Sequence, residues 1–408
     1  MDFLPIIYLS YMFVSFYFLL ATLLLYFKNK SVIFFAPKLT KHYSVSFIVP
    51  AFNEEKTITD TIKAISNIDY DNIKEIIIVN DGSKDNTLRV VNSLKNKYAN
   101  LRVIDKKNSG KADSINYALK YVLGEVVIVV DADSYPDKES LKKMLGFFDN
   151  PEVGAVTATC IPRNSKTKFE KMQAIEYRAI ALTRKLLEFI ESIYVVPGTL
   201  AVYRKKALMQ TKGFDTKNMT EDVEMTWHLS KLGWKVRMCL NAYVTTEVPN
   251  KIKAWYKQRR RWALGGLQTI DKYKKSMFSN GMLGYFIIPF FAIGMFLGLI
   301  GLIIFAYVFS SKMISSYLTA KYQIVADTPL VTMSSFYFTP GVLNYFGIIL
   351  FALFFIFNIY LLSLMKDKLF EKQSFFNLFL YMFVYLLIYQ ITLITAIIHY
   401  IKGKNEWR

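Results

Sequence analysis

Asp81, Asp131-Ala132-Asp133, Thr220-Glu221-Asp222 and Gln258-Arg259-Arg260-Arg261-Trp262 are the groups in this 408-residue chain whose types and spacing suit chemistry. Two carboxylates flanking one alanine repel each other, and a hard cation between them relieves that cost. Mg²⁺ or Mn²⁺ held by Asp131 and Asp133 bridges the phosphates of a diphosphate and neutralises a leaving group. The plainer alternative is a solvated turn whose acids cap a helix before Lys138. Thr220-Glu221-Asp222 follows the turn Gly213-Phe214-Asp215 and opens a helix. Simple capping by Thr220, with Glu221 and Asp222 favoured by the helix dipole, accounts for it. The catalytic alternative makes Asp222 a general base for an attacking hydroxyl, with Glu221 beside it. Gln258, Arg261 and Trp262 stand at i, i+3 and i+4 and share a helix face. There Arg261 offers a fork to a diphosphate and Trp262 a stacking surface for a ring. An indole in such a place is also a membrane-interface anchor, the role expected of Trp255.

These residues need a scaffold, and one begins at Ser44. Val45–Pro50 predicts a strand, followed by a helix from about Glu54 to Ser66. Glu75–Val79 is a second strand, with the turn Asp81-Gly82-Ser83 and a helix opening near Asp85. Leu101–Asp105 is a third strand, Lys111–Leu123 a helix, and Glu125–Val130 a buried central strand. Such alternation implies a mostly parallel sheet with helices on both faces, and ligands bind beyond the carboxyl ends of its strands. Asp81 and Asp131 fall at such ends. In the segment after the first strand, Pro50 and Phe52 wall a site, Phe52 against a base ring and Glu54 at a ribose. Read blandly, the same segment is only a helix N-terminus. Lys111 reaches a diphosphate or is an exposed helix-start lysine. After Asn164 the pattern turns helical, with Met172, Ile175, Ala179, Leu182, Leu186 and Phe189 on one stripe. That stripe packs on the core or, given Lys166, Lys168, Lys171 and Lys185, lies on a membrane.

Four stretches reach membrane length: Phe3–Phe27, Leu283–Ser311, Val342–Met365 and Phe375–Tyr400 lack Asp, Glu, Lys and Arg. The first reads as an uncleaved anchor, since a signal peptide would carry a basic leading region and a small-residue cleavage site. Of 51 Lys and Arg, 43 fall within residues 28–282 against 27 acids, a net of +16. Lys28 and Lys30 follow the first span, while only Asp2 precedes it, which predicts a cytoplasmic middle domain and a multi-pass cell-membrane protein. Four crossings then leave Lys402, Lys404 and Arg408 outside, against that bias. Lys251–Lys275 carries nine basic residues, one acid and two tryptophans, and reads as an interfacial helix. The segment Lys312–Gly341 reads as a polar loop. The basic charge suits an anionic membrane face and a diphosphate substrate, and with no nucleic-acid motif it does not point to nucleic acid. Cys160 and Cys239 predict neither a disulfide nor a metal site, and three scattered histidines exclude a histidine-rich one.

Taken together, the motifs Pro-x-x-Asn-Glu, Asn-Asp-Gly-Ser, Gly-Lys-Ala-x-x-x-Asn, Asp-x-Asp, Thr-Glu-Asp and Gln-x-x-Arg-Trp resemble the processive, inverting family 2 glycosyltransferases. That group includes poly-N-acetylglucosamine, hyaluronan and cellulose synthases. The resemblance covers about residues 44–270 and is nearest to bacterial poly-β-1,6-N-acetylglucosamine synthases, partly through Ile175-Glu176-Tyr177 and the single leading span. It implies an α/β, GT-A-like transferase domain at 44–250, an interfacial helix at 251–275, and transmembrane helices at 1–27 and within 283–400. It further implies that Asp81 and Lys111 bind the nucleotide, with Pro50, Phe52 and Glu54 on the uridine side. Asp133 holds Mg²⁺ or Mn²⁺ beside Asp131, which also meets nucleotide or donor sugar. Asp222 is the base, Arg261 holds the diphosphate, and Gln258 and Trp262 face the acceptor. Pro197-Gly198-Thr199 matches an acceptor-side loop, though many relatives carry Ser where Pro197 stands. The expected partners are a UDP-sugar (UDP-N-acetylglucosamine or UDP-glucose), a growing β-linked glycan and the lipid bilayer. A small membrane subunit or a second copy would complete an export path. A glycolipid synthase adding one sugar to a lipid or polyprenyl phosphate fits the same motifs. A ligand-sensing transporter fits only if Asp133 and Asp222 are incidental.

Overall fold

The structure is a computed structural model and describes residues 3–329, 342–365 and 375–403. Its packing falls into two units, Leu25–Phe291 with Leu362–Arg408, and Met1–Leu24 with Ala292–Leu361.

The first unit holds the expected sheet. Strands β1 (Val45–Ala51), β2 (Ile73–Asp81), β3 (Leu101–Lys106) and β4 (Val126–Val129) pair in parallel in the order β3-β2-β1-β4. Their apolar runs are continuous because helices cover both faces. Between them run α2 (Ile58–Ser66), α3 (Thr87–Leu94) and α4 (Lys111–Leu119). Ile58, Ile62 and Ile65 bury one face of α2 against Phe47, Val49 and Ile128. Proline suits a central strand poorly, yet Pro50 is buried within β1. Ile48 accepts from the amide of Val130, so the nitrogen of Pro50, two residues on, turns to the same side. There β4 has ended, its pairing stopping at Ile48–Val129, so no donor is missed.

Beyond β4 the sheet is mixed. β5 (Ser134–Pro136), α5 (Ser140–Leu145), β6 (Val153–Pro162), α6 (Lys168–Glu188), β7 (Ala201–Arg204), α7 (Lys205–Gln210), α8 (Glu221–Lys231) and β8 (Lys235–Thr246) complete the order β4-β7-β6-β8-β5. β7 runs antiparallel between β4 and β6, β8 runs parallel to β6, and β5 caps the edge antiparallel. α6 starts on a capping box, Thr167 accepting from the amide of Glu170 while the Glu170 carboxylate accepts from that of Thr167. It is a core helix rather than a membrane-lying one. Lys185, expected on a flanking basic face, is buried, 3.1 Å from both Glu188 carboxylate oxygens. α9 (Ile252–Tyr273) follows, and the last apolar helix runs as α12 (Phe375–Leu380), a π-helical turn at Tyr381–Tyr385, and α13 (Leu386–Ile401), with α12 and the turn against α6 and α13 against α9.

The second unit comprises α1 (Phe3–Asn29) up to Leu24, α10 (Ile288–Val325) from Ala292, and α11 (Val342–Ser363) up to Leu361. Among the described residues, four helices are long and apolar enough to cross a membrane: Pro5–Asn29, Leu283–Val325, Tyr345–Ser363 and Phe376–Ile401. One expectation fails here. The segment from Lys312 to Val325, read as loop, continues α10 without a break. No Gly or Pro stands between Gly301 and Pro329, and polarity alone does not end a helix. Its 38 residues extend about 57 Å, well beyond a hydrocarbon core of about 30 Å. Residues 330–341 of that expected loop lie outside the described residues, as do Asp2, Lys404 and Arg408.

Candidate active site

Because β1 leads to β2 on one side while β4 lies on the other, a crevice opens at their carboxyl ends, where doubly wound sheets bind ligands. Glu54 follows β1, and Asp131 and Asp133 follow β4. The Asp-x-Asp turn is fixed by Ser134 N donating to Asp131 O (3.0 Å) and by the Thr61 hydroxyl donating to Ala132 O (2.7 Å). Partial burial, then the charges of Asp131 and Glu54, push the Asp133 carboxyl up to about 7. These acids do not cap the next helix. Asp137 does the nearby work, accepting from Glu139 N at 3.0 Å.

The loops after β1 and β2 are stitched together. Asn53 accepts from Lys84 N at 2.7 Å, Glu54 N donates to the Thr87 hydroxyl at 2.7 Å, and Glu55 N donates to Asp85 at 3.1 Å. Phe52 is left 43% exposed at the rim, free to meet a flat ring. Asp81, by contrast, is buried and engaged. It accepts from the amides of Ser109 (2.9 Å) and Gly110 (2.8 Å) and from Lys106 Nζ (2.7 Å). Its carboxylate therefore holds the loop that delivers Lys111 to the start of α4.

Lys111 is no stray surface lysine. Its Nζ lies 2.6 Å from Asp131 and 2.9 Å from Glu221, so one ammonium joins the strand-end Asp131 to Thr-Glu-Asp. Those carboxylates, with Asp222, outweigh its burial and raise its pKa. Burial pushes Glu221 up, but Lys111 and then Arg261 bring it below the ordinary range. Asp222 goes the other way. Burial and the neighbouring Glu221 charge push it up to about 6, against the pull of Lys111. One residue pair thus splits into a committed anion and a carboxylate poised to take a proton. Plain capping does not explain the segment, since the Thr220 side chain makes no cap bond.

Two glycines permit this closeness. A Cβ on Gly198 would lie 2.5 Å from Lys111 Nζ and 3.0 Å from Asp131 Oδ1. Gly198→Ala is therefore expected to dislodge the lysine from its bridge while leaving the core intact. Turnover should fall about 10–100-fold, the worth of a charge-assisted hydrogen bond, with Tm nearly unchanged. Wild-type rates in purified Gly198→Ala would refute that role. A Cβ on Gly265 would meet Thr220 Oγ1 at 2.1 Å, so α9 lies directly on the start of α8. Asn218 donating to Thr269 and Met219 N donating to Gln268, each 2.9 Å, hold the same face of α9 there.

Trp255 corrects the sequence analysis. It is fully buried rather than anchored at a lipid interface, its indole N–H donating to the Tyr385 hydroxyl at 2.5 Å and its ring edge-on to Phe169. Motif reasoning missed Arg259, which is fully buried against Glu176, and Lys106 beneath Asp81. Three successive arginines on a helix were the available signal for Arg259, because such a run must turn one of them inward.

Among the described residues, no group of three or more His, Cys, Asp or Glu is set to hold a metal alone. One or two carboxylates beside a diphosphate and waters suffice for Mg²⁺-like ions, and the crowded charges of Asp133, Asp131 and Glu54 fit such a cation.

The mixed sheet and its flanking helices form a GT-A-like fold, with acids at the switch point. Residues 46–211 match the family described as glycosyl transferase family 2. Poly-beta-1,6-N-acetyl-D-glucosamine synthase of Staphylococcus epidermidis is 32% identical over 252 residues, 60% of each chain. The synthase of that name from Staphylococcus aureus strain COL is 31% identical over 228 residues, 55% of each. These matches thus span three-fifths or less of the relatives' own length. A mannosyltransferase from Pyrobaculum calidifontis, solved with GDP-Man and Mn²⁺, aligns over 98% of this chain and 99% of its own. Its TM-score of 0.62 at 19% identity supports the fold.

Proposed function

We propose that this protein is a membrane polysaccharide synthase. It transfers a sugar with inversion from UDP-N-acetylglucosamine or UDP-glucose to the end of a growing β-linked glycan, and it passes the product out of the cell. The observation that carries this reading is the Lys111 bridge, which ties the donor-side Asp131 to Glu221, the neighbour of the base, in a chain with four membrane-length helices among its described residues.

In the reaction, the acceptor hydroxyl gives its proton to Asp222 as its oxygen bonds the anomeric carbon. The bond from that carbon to the β-phosphate oxygen breaks on the opposite face, and UDP departs. Lys111 and Arg261 receive the diphosphate charge, and Glu221 keeps both cations in place. Phe52, Pro50 and Glu54 form the uridine side, while Asp81 braces the loop before Lys111. Gln258 and Trp262 hold the acceptor ring. Asp133 and Asp131 would hold Mg²⁺ or Mn²⁺, which when bound neutralises the leaving diphosphate. The names of the staphylococcal relatives support the poly-N-acetylglucosamine version.

Inverted membrane vesicles test direction and product together. Radiolabelled UDP-sugar added outside them should become a high-mass product resistant to glycosidase until detergent opens the vesicles. A single lipid-extractable sugar would hand the case to a glycolipid synthase. Activity confined to right-side-out vesicles would overturn the cytoplasmic placement of the transferase domain.

A further inference from the structure

A buried arginine is an expensive way to fill space, since well-packed apolar residues of similar volume stabilise a core as well or better. Arg259 is completely buried, yet its guanidinium has three distinct duties. One nitrogen donates to Gln258 Oε1 at 2.6 Å, another to Glu176 Oε2, and the plane lies 3.9 Å from the centre of the Trp262 ring. Both residues it aims belong to the acceptor side in the function proposed above, on which this inference rests. A leucine at 259 would fill the volume and aim neither.

The orientation of that guanidinium is set from elsewhere. Glu176 Oε2 also accepts from the Tyr385 hydroxyl at 2.6 Å, and that hydroxyl accepts from Trp255 Nε1 at 2.5 Å. Tyr385 closes the π-helical turn in the last apolar helix, an irregularity common where a side chain must be re-aimed for function. We propose that Glu176, Arg259 and Tyr385 form a positioning brace that sets Trp262 and Gln258 from the last membrane helix, making acceptor binding depend on a membrane-helix hydroxyl. Glu176 and Tyr385 act through Arg259 and are positioning residues rather than catalytic ones.

The test uses full-length protein in membranes, radiolabelled UDP-N-acetylglucosamine or UDP-glucose, whichever the wild type turns over, and graded oligosaccharides of the same sugar. Tyr385→Phe removes one hydroxyl and little volume. It should raise the acceptor KM about tenfold, the scale of a small misplacement near the chemistry, with donor KM unchanged. Glu176→Gln should do the same, and the double variant should be no worse than Glu176→Gln alone, because both act on one oxygen. Tyr389→Phe, on the same helix beside Trp255, should leave both constants at wild-type values. An unchanged acceptor KM in Tyr385→Phe overturns the brace, as does a parallel loss in donor and acceptor KM that follows a drop in Tm. A wild type that transfers from neither donor overturns the glycosyltransfer reading itself, a failure distinct from an active enzyme indifferent to Tyr385.

Discussion

Asp222→Asn is expected to cut kcat by ~10²–10⁴-fold, the usual worth of a general base, while UDP affinity stays near that of the wild type. Asn keeps the size of the side chain and its acceptor oxygen for Val223 N, a bond of 2.9 Å, so the start of α8 should survive. What disappears is the capacity to take a proton. The pH profile gives a second, independent reading. Burial and Glu221 hold Asp222 up at about 6, and a carboxylate serving as general base works only when ionised, so on the proposed role wild-type kcat should fall as pH drops through that value. Glu221→Gln removes the like charge and frees Lys111 from one of its two carboxylates. Both changes favour ionised Asp222, so the acid limb should move to lower pH. A limb that stays in place, or wild-type turnover in Asp222→Asn, would show that another group accepts the proton.

Much of this site was legible because its residues announce themselves by type and spacing. Asp131 and Asp133 follow a β-branched run, and the acids of Thr-Glu-Asp open a helix. Gln258, Arg261 and Trp262 recur at helical intervals. The parallel half of the sheet was legible for a similar reason, since buried parallel strands are unbroken apolar runs. The other half was harder. In β8, Lys235 and Arg237 alternate with inward-facing Val236 and Met238, a period-two signal muted by its charges. β7 is only four residues long, too short for any pattern to stand out. What no spacing rule supplies is pairing between distant segments. Lys111 meets Glu221 across 110 positions, and Arg259 meets Glu176 and Tyr385 from three separate helices. Such contacts are decided by packing, which is also why Trp255 is a core donor although its sequence setting resembles that of an interface anchor.

Asp133→Asn should separate a functional acid from a structural one by moving activity and stability in opposite directions. The side chain is half-buried beside Asp131 and Glu54, and its neutral partners among the described residues are the hydroxyls of Ser134 at 3.3 Å and Thr246 at 3.5 Å. In the protein without a bound cation its charge is therefore a cost. Replacing it with a neutral amide of equal size relieves that repulsion, so Tm measured in EDTA should hold or rise. Transfer should nevertheless drop ~10²-fold or more, because charge neutralisation at a leaving diphosphate is worth several kcal/mol. Wild-type protein should lose transfer in EDTA and regain it with Mg²⁺ or Mn²⁺. It should also gain Tm when Mn²⁺ and UDP are added together, by mass action on the folded state. Asp133→Asn should show little of that gain, a readout independent of turnover. Full wild-type activity in EDTA, or an undiminished Mn²⁺–UDP stabilisation in Asp133→Asn, would remove the cation from this pair of aspartates and leave Lys111 and Arg261 to bear the diphosphate alone.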